Sequence, residues 1–260
     1  MKGQTALVTG ASSGTGRDVA IALAVKGCDV ALLGRRREAL EDTANLVSEA
    51  GGRAIVLVAD LKDEAAVRRA MSAMLEWSGN RIDILVNAAG IPGPLGDTIG
   101  ELGLEDFDAV MSTNLRGPFL TMSCLLPVMR KCGRGRIINI GGTHGMRGRA
   151  GRSSYATSKW ALRGLTRTAA LEAGEFGVTA NVIAPGPIAV ERMRKRWAEQ
   201  AVSEGVSEAE ILKRYIRQMG TALQRPNETQ DIVEMVLFLA SERGRNITGQ
   251  EIIIDGGVIV

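Results

Sequence analysis

Aromatic side chains are scarce, with 3 Trp, 2 Tyr and 4 Phe among 260 residues. A chain so poor in rings offers no ladder of stacking platforms for single-stranded nucleic acid. Histidine occurs once, at His144, which excludes a multi-histidine metal centre. The 3 cysteines, Cys28, Cys124 and Cys132, have no C-x-x-C spacing. Such a set argues against a disulfide framework and for a reducing compartment. No apolar run reaches the length of a membrane-spanning helix, and no signal-peptide layout precedes the first apolar segment. The expectation is a cytoplasmic protein with no membrane partner. The net charge of +3 is too mild to imply nucleic acid, and there is no long basic run.

What is present is glycine, at 32 residues, with 45% hydrophobic and 23% charged residues. That mixture suits an α/β protein with many tight turns and small residues where helices meet a sheet. Short apolar runs at 4–9, 29–33, 54–59, 82–86, 136–140, 178–183 and 252–254 read as strands. Helical patterns fill most of the intervals: up to Lys26, 37–50, 63–77, 105–131, the segment carrying Tyr155 through Leu171, and 227–240, with an N-cap candidate at Asn227 or Thr229. The alternation predicts a parallel sheet with right-handed crossovers, whose ligands bind at the carboxyl ends of the strands. A loop rich in glycine and proline spans 91–103. Residues 188–222 break the rhythm with a long, charged, partly helical insertion, expected to be a lid within a single domain.

The first strand ends in Thr9-Gly10-Ala11-Ser12-Ser13-Gly14-Thr15-Gly16 and a helix follows. Glycines here let the backbone approach a pyrophosphate, which the helix N-terminus then holds. After the second strand come Gly34, Arg35 and Arg36, with no acid to take a ribose 2′-OH. Arginine there accommodates a 2′-phosphate, so the cofactor expected is NADP, with NAD as the alternative. The same arginines can instead begin a solvated helix. Asp60, followed by Leu61, can accept from an adenine amino group. The small residues after Asn87, namely Ala88, Ala89 and Gly90, let a cofactor lie flat against backbone. Tyr155 and Lys159 stand four apart, one helical turn on one face. An ammonium beside a phenol favours the phenolate and lowers its pKa, which suits the phenol to proton transfer near neutrality.

Taken together, Thr9-Gly10-x3-Gly14-x-Gly16, Asp60, Asn87-Ala88-Ala89-Gly90, Asn114, Tyr155-x3-Lys159, Pro185-Gly186 and Asp255-Gly256-Gly257 resemble the short-chain dehydrogenase/reductase family over nearly the whole chain. The resemblance implies a doubly wound, Rossmann-type sheet of seven strands, a nicotinamide cofactor, a small carbonyl or alcohol substrate and a homotetramer. It implies that Tyr155 gives or takes the proton at the substrate oxygen. Lys159 would lower the tyrosine pKa and hold the nicotinamide ribose, and Asn114 would anchor a water-mediated proton path. Ser12, Ser13, Thr15, Leu61, Asn87, Ala88, Pro185, Gly186 and Ile188 would complete the cofactor site.

One family residue is missing. The serine that normally lies thirteen residues before the tyrosine is Gly142 here, and losing one such donor can cost roughly 10²–10³ in rate. Thr143 can supply the hydroxyl if the strand end shifts by one residue; Ser153, Ser154, a water or a substrate group are the alternatives. His144 can be a loop residue or a substrate contact. Arg147, Arg149 and Arg152 before Tyr155, and Arg192 in the insertion, suit an anionic substrate or simply form a charged face. A 3-oxoacyl thioester reductase is one alternative, for which Arg134 and Arg136 fit a basic patch and Glu175 does not. A non-catalytic dinucleotide sensor and an epimerase or dehydratase are the others.

Overall fold

The structure is a computed structural model in which residues 1–259 are described. Seven parallel strands form one sheet in the order β3-β2-β1-β4-β5-β6-β7. They are β1 Thr5–Thr9, β2 Asp29–Gly34, β3 Ala54–Val58, β4 Ile84–Asn87, β5 Gly135–Ile140, β6 Val178–Pro185 and β7 Glu251–Ile254. The expected doubly wound sheet is borne out. The central strands read as continuous apolar runs because both faces are covered; every residue of β1, β4 and β6 is buried.

Helices α1 (Gly14–Val25) and α2 (Arg37–Glu49) lie on one face together with α9 (Thr229–Ala240). Their core includes Val19, Leu23, Leu40, Val236 and the facing Val8, Leu32 and Ile84. On the other face lie α3 (Glu64–Trp77), α4 (Leu104–Met111), α5 (Gly117–Cys132) and α6 (Ser153–Ala173). Leu7, Leu85, Met71, Leu125 and Ile137 form the core beneath them. The α9 cap is neither Asn227 nor Thr229. Glu228 occupies it, in a reciprocal box with Asp231, because the Asn227 amide is already held: its backbone N–H donates to Pro187 O and its side chain to Ile254 O.

The single helix expected over 105–131 is interrupted. Ser112–Arg116 form a π turn between α4 and α5, and Asn114 sits in it. Such a turn widens the helix locally and is common at functional sites. The insertion after β6 forms α7 (Glu191–Glu204) and α8 (Glu208–Met219), which share a small core of Trp197, Ala201 and Ile211. Among the described residues no helix is long and apolar enough to cross a membrane.

The chain builds β1 to β3 outward, then returns to lay β4 against the other side of β1, in register from Ala6↔Ile84 to Thr9↔Asn87. The connections after β1 and β4 therefore leave in opposite directions. A crevice opens there at the carboxyl edge.

Candidate active site

The crevice is a cavity of about 690 Å³. Its floor is the turn between β1 and α1. Gly10 has φ +70°, and a Cβ there would lie 2.8 Å from the Ala89 backbone. A Cβ on Gly16 would strike the Gly10 carbonyl oxygen. These contacts pull the turn tight against β4 and aim the start of α1 into the crevice. Ser13, the N-cap of α1, makes no side-chain capping bond, and the first turn contains no acid. The orphan N–H groups at the helix start are therefore left for an anion.

Ser12, Ser13, Gly14, Thr15, Gly16, Arg35, Arg36, Asp60, Leu61, Ala88 and Gly90 all line the cavity, as the motifs predicted, together with Gly10. The Arg36 Nη2 donates to Ser12 O and Oγ at 3.3 and 3.4 Å, so the guanidinium, though exposed, leans over the glycine turn. Asp60 accepts from the Lys62 backbone N–H through Oδ1 at 2.9 Å. Donors for a pyrophosphate, cations for a 2′-phosphate and a carboxylate for adenine occur along one trough. The residue set fits a dinucleotide. Among the described residues there is no cluster of three or more His, Cys, Asp or Glu suited to a metal ion.

Some expected residues are elsewhere. Asn87 is buried, and its amide is engaged on both sides: Nδ2 donates to Asn139 Oδ1 at 2.8 Å and Oδ1 accepts from Thr121 at 2.9 Å. Asn139 continues to Thr166 at 2.8 Å. The chain of polar groups ties α5, β4, β5 and α6 together, so the Asn87 side chain serves the core rather than the trough. Pro185, Gly186 and Ile188 do not line the cavity either. Gly186 donates to Ile254 O, and Ile188 bridges to Asn227; the three join β6 to β7 and to the start of α9.

Tyr155 and Lys159 share a face of α6, with the Lys159 Nζ 5.6 Å from the Tyr155 ring centre. Lys159 is buried at 4% exposure and donates to Ile140 O at 2.8 Å. A Cβ on Gly90 would lie 3.7 Å from its Nζ and 3.4 Å from Asn114 Oδ1. Lys159 and Tyr155 do not themselves line the trough; the Lys159 head group stands directly behind its Gly90 wall. Asn114 is held on three sides: Oδ1 accepts from Ile91 N at 2.8 Å, and Nδ2 donates to Ile91 O and to Ser158 Oγ at 2.9 and 3.1 Å. Ser158 donates in turn to the Tyr155 carbonyl at 2.8 Å. Sequence reasoning missed Ser158; a buried serine one residue before the lysine was the only available sign.

The electrostatics differ from the motif's simple promise. Burial raises the Tyr155 pKa, and the cations that oppose the rise are Arg152 and Arg192 rather than Lys159. Burial also depresses Lys159 to about 8. An ammonium that is itself destabilised by desolvation is a weak stabiliser of a phenolate.

Gly142 is the residue that faces the tyrosine. A Cβ there would lie 3.3 Å from Tyr155 Oη and 3.9 Å from the Pro185 carbonyl oxygen. Its φ of 161° and ψ of 153° are extended. The one-residue shift that would bring Thr143 to this place is absent. Thr143 instead begins a buried 3-10 turn and accepts from Met146 N at 3.0 Å. Around Tyr155 stand the His144 ring, edge-on at 5.7 Å, and the Arg152 guanidinium, 4.7 Å from the ring centre. Of the other expected substrate contacts, Arg149 donates to Met219 Sδ at 3.0 Å and Arg147 to Val258 O at 3.4 Å. Arg192 lines the trough beside Val190, Glu191 and Lys195. Glu191 and Lys195 belong to the charged start of the insertion, whereas Val190 and Thr113 of the π turn carried no motif to betray them.

Arg134 and Arg136, the basic patch considered for an acyl carrier, are at the opposite edge of the sheet. Arg134 pairs with Asp83 at 2.6 Å, and Arg136 is buried against Gly135 O and Gly177 O.

The model of a family described as short chain dehydrogenase matches residues 4–201. Levodione reductase of Leifsonia aquatica is 36% identical over 259 residues, covering 96% of this chain and 92% of that protein. D-beta-hydroxybutyrate dehydrogenase of Rhizobium meliloti (strain 1021) is 31% identical over 259 residues, 98% of each chain. The crystal structure of actinorhodin polyketide ketoreductase with NADPH has a TM-score of 0.89 and 31% identity, over 98% of this chain and 97% of that one. A trough built on the glycine turn, a Tyr155–Lys159 pair behind its wall and matches of this length agree: the chain belongs to the short-chain dehydrogenase/reductase family.

Proposed function

We propose that the protein is an NADP-dependent oxidoreductase that interconverts a carbonyl and a secondary alcohol, with Tyr155 as the acid/base at the substrate oxygen. The observation that carries the proposal is the position of Gly90, which lines the trough on one side and has the Lys159 Nζ behind it, with Tyr155 one turn away on α6. A bound nicotinamide dinucleotide supplies hydride chemistry. The protein's part is to hold and polarise. The N–H groups at the start of α1 would hold the pyrophosphate, Asp60 the adenine and Arg35 and Arg36 the 2′-phosphate. Lys159, fixed by Ile140 O, would hold the ribose. Tyr155 keeps its proton at neutral pH, because burial raises its pKa, and so serves as the donor when the oxygen gains charge. Asn114, clamped by Ile91 and Ser158 within the π turn, keeps α6 and the 91–103 loop in place beside the proton route.

The arginines on the Tyr155 side favour an anionic substrate over a neutral ketone, since none of Arg147, Arg149, Arg152 and Arg192 is ion-paired among the described residues. Arg134 and Arg136 are engaged elsewhere, which weighs against an acyl-carrier substrate. Helices α7 and α8 are proposed as the lid, as α7 begins on the trough. A homotetramer, in a reducing compartment such as the cytoplasm, completes the proposal. Three free cysteines agree with that compartment. An apolar groove of Met111, Leu115, Phe119 and Leu165 offers a second copy a surface.

A panel of ketones, keto acids and alcohols, followed by the absorbance of the reduced nicotinamide, tests the reading. Tyr155→Phe should lower kcat by about 10²–10⁴ while leaving dinucleotide affinity intact. Turnover undiminished in that variant would refute the assignment.

A further inference from the structure

Arg152 is the most confined of the four unpaired arginines. Arg194 and Arg225 pair with Glu228 and Asp231, but among the described residues no carboxylate forms an ion pair with Arg152. Its Nη1 is buried without a hydrogen-bond partner, and its guanidinium carbon is 4.7 Å from the ring centre of Tyr155. The residue as a whole is only partly buried. A guanidinium drawn out of water with no counter-ion is unfavourable on its own. It becomes favourable when an anion enters, and its planar fork matches a carboxylate.

We infer that Arg152 binds a carboxylate of the substrate, which is therefore a short keto acid or the matching hydroxy acid. The part concerning turnover rests on the carbonyl–alcohol reading above; the carboxylate site does not. The guanidinium stands over the ring of the tyrosine that meets the reacting oxygen, so only a few bonds separate carboxylate from carbonyl. In reduction the C=O π bond breaks. The carbon gains the hydride of the reduced dinucleotide, the oxygen gains the Tyr155 proton, and the carboxylate is unchanged. His144 packs edge-on to Tyr155. Burial and the three loop arginines keep it neutral near pH 7, so it adds no charge to the pocket. Arg149, on the same loop, donates to Met219 Sδ at 3.0 Å and so brings the end of α8 against it.

The experiment uses the full chain with NADPH or NADH and pairs of short keto acids and their methyl esters. Wild type should prefer acid to ester by about 100-fold in kcat/KM, the scale of a charge-assisted pair. Arg152→Met should lower kcat/KM for the acid at least about 30-fold more than for the ester, chiefly through KM. Arg152→Lys keeps the charge without the fork and should fall between. Equal losses on acid and ester would make Arg152 structural and overturn the inference, as would a wild type indifferent to the carboxylate. If Arg152→Met does not fold, the wild-type ratio and Arg152→Lys decide.

Calorimetry with the matching hydroxy acid and dinucleotide gives a second readout in Tyr155→Phe. Adding Arg152→Met should weaken binding about 30-fold or more; unchanged binding overturns the inference. Arg152-dependent binding without turnover of any carbonyl by wild type would sink the oxidoreductase reading and leave the carboxylate site standing. Turnover of esters without acid preference would do the reverse.

Discussion

The Cβ position of Gly142 lies 3.3 Å from the hydroxyl of Tyr155. A serine side chain grown from this backbone would therefore begin beside the phenol, in an extended conformation that any residue adopts. The hydroxyl missing from the site is missing at one atom's remove, while Thr143 belongs to the 3-10 turn that follows. Gly142→Ser should fold and raise kcat/KM on small ketones by about 10-fold, below the full 10²–10³ of an evolved donor. Thr143→Val should change turnover by less than about 3-fold. Steady-state kinetics on both variants checks this. A fall in Gly142→Ser would mean that the substrate itself fills the space.

Arg36 reaches across to Ser12 at the pyrophosphate end of the trough. If it holds a 2′-phosphate, Arg36→Ala should raise KM for NADPH by about 10–100-fold, the worth of hydrogen bonds to a charged group. KM for NADH should move by less than about 3-fold. An equal rise for both cofactors would remove the 2′-phosphate from the explanation.

Lys159 is depressed by burial from 10.5 to about 8. Between those values the unfolded chain binds a proton that the folded chain has released. Stability contributed by this residue therefore rises with pH from about 8 to 10.5, and below 8 the desolvation penalty is fully present. The shift corresponds to roughly 3 kcal/mol. Denaturant unfolding at pH 7.5, 9 and 10 should show Lys159→Met more stable than wild type at the lowest pH, the gap narrowing as pH rises. Raised groups such as Cys28 act in the opposite direction in both proteins and cancel in the difference. Parallel curves would contradict the assignment.

His144 is the chain's one histidine, so its imidazole resonance is unambiguous. Burial, then Arg152, Arg149 and Arg147, lower its pKa from 6.5 to about 4. The NMR signal should stay constant from pH 8 down to about pH 5.5. Over the window from 6.5 to 4 the unfolded chain binds the extra proton, so His144 removes stability as pH falls. A midpoint near 6.5 in the folded protein would show the ring to be solvated.

The sequence by itself determined the sheet and the trough. Strand periodicity, the glycine turn at 10–16 and the bare Arg35–Arg36 end are local, and local sterics and hydrogen-bond demand fix what they do. Tyr155 and Lys159 share a face because four residues make one helical turn. Boundaries shifted by a residue or two, and Asn114 hid a π turn, since wide and ordinary helical turns have no distinguishing composition. Packing between distant segments was not readable. Asn87 belongs to the core because Asn139 and Thr121 arrive beside it from β5 and α5. Arg134 and Arg136 are turned to Asp83 and to backbone carbonyls at the far edge. Only the tertiary structure brought Gly142 against Tyr155 Oη and left Arg152 over the same ring without a counter-ion. Whether a charge meets a partner depends on what the fold carries to it from elsewhere in the chain, and no spacing along the sequence encodes that.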